Sequence, residues 1–300
     1  MNTIAIDCGA SFIKGALIKD STILQKAQEH SPHVHMTGSI LQPTQITALI
    51  PLIKKMIQNL AGDEKEVQLC ISNEMHGFIL AYSDGAPFTD YISWQKEYGN
   101  IAVFEKTAMQ ILSDEQFTDD VLYSGMSLRA GLPSCNLNYL WRCGHLDEVS
   151  SKLHFYTLGD YIIRAISGIE PICHPTNAAA TGLLDLRSGE WNLELIKATG
   201  GENIVFPRIG EESCSFALGR LHIIALPAIG DQQAALLGAR LQYETDISFN
   251  LGTGAQVSKL VKKPVFGENY QIRPFFNGLY LKSRVGDAVS GRNPVDRAVQ

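Results

Sequence analysis

Carboxylates and glycines that follow short apolar runs are the residues of this sequence most suited to chemistry. Asp7 closes the run TIAID, and Gly9 and then Lys14 follow it. A glycine turn between two strands points backbone N–H groups into a concavity that can hold a phosphate. Asp7 could hold Mg²⁺, directly or through water, because Mg²⁺ favours one or two carboxylates plus phosphate oxygens. An ordinary hairpin with a solvated Asp and Lys is the alternative, and this segment alone does not separate the two.

A second glycine turn lies in FNLGTGAQV, where Gly252, Thr253 and Gly254 again separate two apolar runs. Two such turns, one near the start of each domain, can clasp a single polyphosphate between them. The alternative is a plain hairpin loop, since Gly-x-Gly is common in turns.

Asp231 follows the buried run IIALPAI, within Gly230-Asp231-Gln232-Gln233. If its side chain projects into a cleft, it can accept a proton from a hydroxyl group. Phosphoryl transfer requires such a carboxylate to orient the nucleophile, together with metal and donors around the phosphates. If Asp231 caps the helix that follows, its role is structural, and spacing alone favours this cap.

Hydrophobic periodicity predicts the elements that must position these residues. Pro51 is expected at a bend or helix start, and Gly168 is expected to end a helix. Strands are predicted at 3–7, 12–18, 21–28, 67–72, 153–158, 223–229, 247–251 and 256–261, and helices at 43–60, 101–112, 136–148, 160–167, 191–200 and 232–241.

Composition excludes several classes of protein. Lys plus Arg is 25 against 31 Asp plus Glu, a formal charge of -6, whereas nucleic-acid binding favours a basic surface. No stretch approaches the roughly 20 apolar residues of a membrane span, and Asp7 interrupts any signal-peptide core. The six cysteines show no metal-site spacing and indicate reduced thiols in a cytoplasmic protein. These features are typical of a soluble enzyme that handles a neutral small molecule.

Short motifs recur in a fixed order along the chain: IAIDCGASFIKGALI at the N-terminus, ISNEMHG at 71–77, SWQ at 93–95, LGDYI at 158–162, PTNAAATG at 175–182 with Asp185 and Trp191, IGDQQAA at 229–235, and Gly252-Thr253-Gly254. This order of motifs resembles that of the FGGY carbohydrate kinases. The resemblance implies an α/β protein of the ribonuclease H-like (actin-like ATPase) fold, with an N-terminal sugar-binding domain at 1–243 and an incomplete ATP-binding domain at 244–300.

The same resemblance implies roles for individual residues. Asp231 would be the general base, and Asp7 would position Mg²⁺, directly or through water. Other phosphate-binding residues would be Gly9, Ser11, Lys14, Gly252, Thr253 and Gly254, and the sugar pocket would be lined by Met75, His76, Trp94, Asp160, Asn177 and Gln232. Without the motif context, His76 and Trp94 are packed residues and Asp160 is a helix cap.

Within the family, the sedoheptulokinase branch is the most similar, through Trp94-Gln95, the double Gln after Asp231 and the stretch RPFFNGLYL at 273–281. The expected reaction is therefore ATP-dependent phosphorylation of a terminal hydroxyl of a small ketose such as sedoheptulose. Departures from the family pattern bear on the substrate: Glu74 replaces Gln, Asn73 replaces Gly, Lys96 replaces Asp and Ala10 replaces Thr.

The second domain has only about 55 residues, too few for a complete lobe of this fold. Three alternatives follow. The chain is a kinase whose ATP lobe is completed by a second copy or another chain; or it is a non-catalytic sugar-binding or regulatory protein derived from a truncated kinase; or it is a truncated product that depends on self-association. The expected ligands are a small sugar, ATP and Mg²⁺, with no nucleic acid and no membrane.

Overall fold

The computed structural model describes residues 1–32, 40–147, 151–251 and 254–287. Its helices are α1 (Thr44–Ala61), α2 (Ala108–Leu112), α3 (Thr118–Tyr123), α4 (Pro133–Arg142), α5 (Leu158–Ser167), α6 (Pro175–Ala179), α7 (Leu193–Ala198) and α8 (Asp231–Gly238). Its strands are β1 (Asn2–Cys8), β2 (Phe12–Lys19), β3 (Thr22–His30), β4 (Glu66–Asn73), β5 (Ile79–Ala81), β6 (Leu153–Tyr156), β7 (Leu184–Asp185), β8 (Glu190–Trp191), β9 (Ile204–Val205), β10 (Cys214–Leu218), β11 (Leu221–Ala225), β12 (Ile229–Gly230), β13 (Ile247–Leu251), β14 (Gly254–Val261), β15 (Gln271–Pro274) and β16 (Tyr280–Asp287).

The large sheet has the order β10-β11-β4-β1-β2-β3, and β12 pairs with the end of β4. β1, β2 and β3 form an antiparallel meander, whereas β4 runs parallel to β1, and β11 and β12 run parallel to β4. The register pairs Asp7 with Ser72, and Ser72 with Ile229. Because the carboxyl ends of parallel strands meet at one edge of a sheet, Asp7 and the residues that follow Gly230 come together there.

Helix α1 packs its apolar face against this sheet. The buried side chains of Ile4 and Ile6 on β1 belong to the same core. Asp90 satisfies the first free N–H groups of the helix, accepting from Gln45 at 3.0 Å and Ile46 at 2.9 Å. The helix therefore begins at Thr44, and Pro51 lies inside it on an exposed position rather than at its start. None of the helices in the described ranges has the length and apolar character needed to cross a membrane.

A second, antiparallel sheet of order β13-β14-β16-β15 follows in the chain and has its own small core around Leu260 and Leu281. Its strand β15 contacts the first part of the chain, where the Ile272 N–H donates to the Gly125 carbonyl at 2.8 Å. This contact places Arg273 beside the loop that follows β4.

Most predicted elements are confirmed, but several boundaries are wrong. The helix predicted at 101–112 is limited to α2, because Phe104 and Glu105 take left-handed conformations and Thr107 starts the helix with a capping box. The helix predicted at 136–148 begins earlier, at Pro133, and ends at Arg142. Proline at the first helical position costs no hydrogen bond there, which explains the earlier start.

The strand predicted at 223–229 is divided into β11 and β12. Pro227 lies between them and has no backbone N–H to donate to the ladder. The interruption shifts the chain, so that only the last two residues before Asp231 pair with β4 again.

Candidate active site

Asp231 is the first residue of α8, directly after β12. Gly230, not Asp231, occupies the N-cap position, so the structural cap favoured by spacing is not formed. The Asp231 carboxylate accepts the Gln232 N–H at 2.7 Å. Burial raises the pKa of Asp231 to about 6, helped by the negative charge of Asp7 and opposed by this hydrogen bond and by Arg273. A carboxylate with such a pKa is ionised at neutral pH and still basic enough to accept a proton.

Asp7 and Asp231 line one cavity of about 660 Å³ that lies between the two sheets. Gly9, Ser72 and Gln232 line the same side. The Ser72 hydroxyl donates to Asp7 Oδ1 at 2.9 Å and fixes that carboxylate. The second sheet supplies the opposite wall with Ser248, Asn250, Gln256 and Ser258.

The first glycine turn differs from the expected phosphate cradle in one respect. The Gly9 N–H donates to the Phe12 carbonyl at 3.1 Å and so closes the turn. Ser11 and Lys14 are exposed, and Lys14 lies opposite Asp7 in the strand register, beside a neighbouring cavity of about 650 Å³. The Gly9 N–H is therefore occupied within the turn and is not available to a phosphate.

The structure describes only part of the second glycine turn. Gly252 and Thr253 lie outside the described residues, and Gly254 begins β14. Within the ranges that the structure describes, no three His, Cys, Asp or Glu side chains group into a metal site. Asp7 is the carboxylate that could hold a Mg²⁺ ion together with phosphate oxygens and water, and Asp231 lies on the wall of the same cavity.

Asn177 lies beneath the loop that follows β4 rather than at its surface. Its side-chain amide donates to Asn73 Oδ1 at 2.9 Å and to the Ala228 carbonyl at 2.8 Å. Only 2% of Asn177 is exposed. The structure thus gives Asn177 a positioning role, because it joins the ends of β4 and of the segment before β12.

His76 has a left-handed backbone conformation, with φ of 62°. Its Nδ1 lies 2.7 Å from the Ala180 carbonyl and must carry the proton, since a carbonyl only accepts. The Nε2 atom is then free to accept from Arg129 at 3.4 Å. Burial, Arg129 and Arg273 lower the pKa of His76 to about 3, so the ring is neutral.

Arg273 enters this site from the second sheet and is 2% exposed. One terminal nitrogen donates to Gln232 Oε1, and the other lies 3.9 Å from Met75 Sδ. Burial and the neighbouring Arg129 lower the pKa of Arg273 to about 10, and the guanidinium stays charged. Arg129 and Arg273 were not among the site residues that the sequence predicts.

Glu74 lies in the loop that follows β4, and Trp94 contacts it. Glu74 is buried, and Trp94 is 46% exposed, with its side chain hydrogen-bonded to the Glu74 carboxyl group. Burial and the charge of Asp231 raise the pKa of Glu74 to about 7, against the effect of the Trp94 bond. Nearly half of Trp94 is therefore accessible beside the loop that carries Glu74.

Asp160 does not line this pocket. It is 0% exposed, and its Oδ2 accepts from the Thr157 hydroxyl at 2.7 Å in a capping box at the start of α5. The helix-capping alternative therefore replaces the sugar-binding role that the resemblance implied.

Known proteins resemble this chain at low sequence identity. A glycerol kinase from Cereibacter sphaeroides is 22% identical over 268 residues, which are 84% of this chain and 53% of that protein. A sedoheptulokinase from Mus musculus is 23% identical over 285 residues, 85% of this chain and 58% of that protein. A ligand-bound xylulose kinase from Lactobacillus acidophilus superposes with a TM-score of 0.78 at 19% identity, covering 94% of this chain and 59% of the other.

The chain thus spans a little over half the length of these relatives. The structural likeness shows the actin-like, ribonuclease H-like fold. Residues 2–238 match the family model described as the N-terminal domain of the FGGY family of carbohydrate kinases. The match covers well over half of the sequence, and the chain belongs to the FGGY carbohydrate kinase family.

Proposed function

We propose that this chain forms the sugar-binding part, and the beginning of the ATP-binding part, of a kinase that phosphorylates a terminal hydroxyl of a small sugar. The observation that carries the proposal is the position of Asp7 and Asp231 in one cavity between the two sheets. We also propose that residues 1–243 form the sugar-binding domain and that residues 244–300 begin the ATP-binding domain.

In this mechanism the Asp231 carboxylate accepts the proton of the attacking hydroxyl. Its raised pKa, about 6, makes it a better base than an exposed aspartate while leaving it ionised at neutral pH. Ser72 holds the Asp7 carboxylate in place, and Asp7 would hold Mg²⁺ through an oxygen or a water. The metal would neutralise charge on the phosphates of ATP.

Met75, His76, Trp94 and Gln232 are the proposed sugar-binding residues. The Gln232 side-chain N–H, which has no partner among the described residues, can donate to a sugar hydroxyl, and the exposed Trp94 ring can cover an apolar sugar face. His76, whose two ring nitrogens already contact Ala180 and Arg129, would line the pocket with its ring. A sugar hydroxyl left unpaired in a closed site costs about 1–3 kcal/mol, which explains the need for such groups. A ketose such as sedoheptulose is the first neutral candidate, because sedoheptulokinases are among the relatives.

Turnover requires a complete ATP lobe, and this chain spans a little over half the length of its relatives. Completion of that lobe by a second copy or another chain is part of the proposal. The six cysteines are free thiols, in keeping with the cytoplasmic location that we propose.

A coupled assay of Mg·ATP turnover with sedoheptulose, xylulose and glycerol tests the proposal. Asp231→Asn should lower kcat by about 10²–10⁴, the usual contribution of a general base. Asp63→Asn, at an exposed position, is the matched control. Sugar-stimulated turnover that survives Asp231→Asn would contradict the role of the base. Sugar binding without any turnover would instead support the non-catalytic alternative.

A further inference from the structure

Two arginines converge at the sugar end of the candidate site. Arg129 lies at the exposed rim and reaches His76, and Arg273 lies buried behind Met75 and Gln232. Each cation lowers the pKa of a shared neighbour, His76, which shows that both charges act on the same region. Motif order gave no role to either side chain.

The buried guanidinium of Arg273 has too few acceptors. A guanidinium carries five N–H donors. Among the described residues, Arg273 bonds to one amide oxygen and touches one thioether sulfur, and its Nε has no partner. The neighbouring Gln232 Nε2 also lacks a partner in the described part of the chain. Burying a charge is costly unless it is paired and hydrogen-bonded, so these donors indicate a missing acceptor-rich group.

Nearby carboxyl groups do not supply that group. Asp231 attracts Arg273 electrostatically, but no hydrogen bond or ion pair joins the two within the described residues. Glu74 is bonded to Trp94, and its carboxyl group is half-protonated near neutral pH, with a pKa of about 7.

The position of the pair assigns it to the sugar rather than to ATP. Its contacts are Met75, His76 and Gln232, on the loop after β4 and the start of α8. In the part of the chain that the structure describes, neither arginine forms a hydrogen bond or an ion pair with the first glycine turn, from Asp7 to Lys14.

We infer that Arg129 and Arg273 form an anion subsite, and that the preferred substrate is an acidic sugar whose carboxylate or phosphate group lies remote from the hydroxyl that is phosphorylated. Planar guanidinium groups bind both anions through paired, charge-assisted hydrogen bonds. The inference rests on the proposed function, keeps its reaction, and replaces the neutral ketose candidate by an acidic sugar.

Calorimetric titration of the 300-residue chain without ATP tests the subsite apart from catalysis. The probes are two matched pairs: D-gluconate against D-glucitol, and D-fructose 6-phosphate against D-fructose. We expect the acidic member of at least one pair to bind about tenfold or more tightly than its neutral partner. A preference within the first pair indicates that the subsite binds a carboxylate, and a preference within the second pair indicates that it binds a phosphate.

Arg129→Gln should abolish this preference, and because Arg129 is at the rim, the variant should fold normally. Arg220→Gln, at an exposed turn, is the matched control and should keep it. Arg273→Gln provides the second variant, with its thermal melting curve as a check of folding. Equal binding within both pairs, or a preference that survives Arg129→Gln and a folded Arg273→Gln, would overturn the subsite. An acid preference without kinase turnover would leave the subsite intact and count against the proposed function alone.

Discussion

The side-chain amide of Asn177 donates to Asn73 Oδ1 at 2.9 Å, across 104 residues of sequence. The bond joins α6 to the carboxyl end of β4, and a second bond from the same amide reaches the carbonyl of Ala228. Asn73 in turn donates to the Glu74 carbonyl at 2.8 Å. One buried amide therefore sets the relative position of the loop that follows β4 and of the segment that leads to Asp231.

Asn177→Ala should destabilise the protein by about 1–3 kcal/mol, because it leaves the Ala228 carbonyl and Asn73 Oδ1 buried without this donor. Urea unfolding followed by circular dichroism measures the change. Asn203→Ala, at an exposed position, is the control and should change the free energy of unfolding by less than about 0.5 kcal/mol. Equal effects of the two substitutions would remove the positioning role of Asn177.

The pH dependence of catalysis should report the pKa of Asp231. The base must be deprotonated, and its pKa is raised to about 6, so kcat/KM should fall as pH drops through about 6. With an ordinary aspartate as the base, kcat/KM would stay unchanged down to about pH 4. The measurement is a pH–rate profile under Mg·ATP saturation, and a flat profile between these two values would show that Asp231 is not the base.

Glu74→Gln should stabilise the protein at higher pH. The folded-state pKa of Glu74 is raised from 4.5 to about 7, so the folded protein binds this proton more tightly than the unfolded chain. Stability linked to Glu74 is therefore fully present below 4.5 and is lost as pH rises through about 7. Glutamine avoids the loss because it carries no charge and keeps an oxygen for the Trp94 bond.

The check is the melting temperature of both proteins across this pH range. The advantage of Glu74→Gln should grow between pH 4.5 and about 8. Glu202→Gln, at an exposed position, should show no such trend. A constant difference in melting temperature at all pH values would mean that burial of the Glu74 charge does not control the effect.

The strands and the pair Asp7 and Asp231 could be predicted because their signals are local. An apolar run followed by a carboxylate and glycine marks a strand end, and motif order then places two such ends in one fold. The edge strand β15 and its neighbour β16 were not predicted. The helix predicted at 101–112 was too long because the apolar spacing continues through a left-handed turn.

The arginines could not be predicted in this way. Arg129 reaches His76 across 53 residues, and Arg273 reaches Met75 across 198, so no local pattern records either contact. Asp160 shows the opposite case. Thr157 and Asp160 have the spacing of a capping box, a local signal that the sequence displays, but the family resemblance favoured a pocket role instead.

Gly159→Ala tests how tightly the end of β4 and the loop that follows it are packed against α5. A Cβ at this position would lie 2.2 Å from the Ala228 Cβ and 2.4 Å from Asn73 Oδ1, which is itself held by Asn177. Both neighbours are close to the backbone and cannot simply rotate away. We expect a loss of about 1–3 kcal/mol in stability, typical of overpacking, and weaker sugar binding because Asn73 must move.

The matched control is Gly238→Ala, at the end of α8, where an added Cβ would meet nothing within 4 Å. Alanine restricts the unfolded chain and favours the helix, so this variant should gain about 0.4–1 kcal/mol. Thermal melting and calorimetric titration of sugar on both variants make the comparison. If Gly159→Ala melts and binds like the unmodified protein, the loop has room to shift, and the positions of Asn73 and Ala228 are not what holds the sugar site in place.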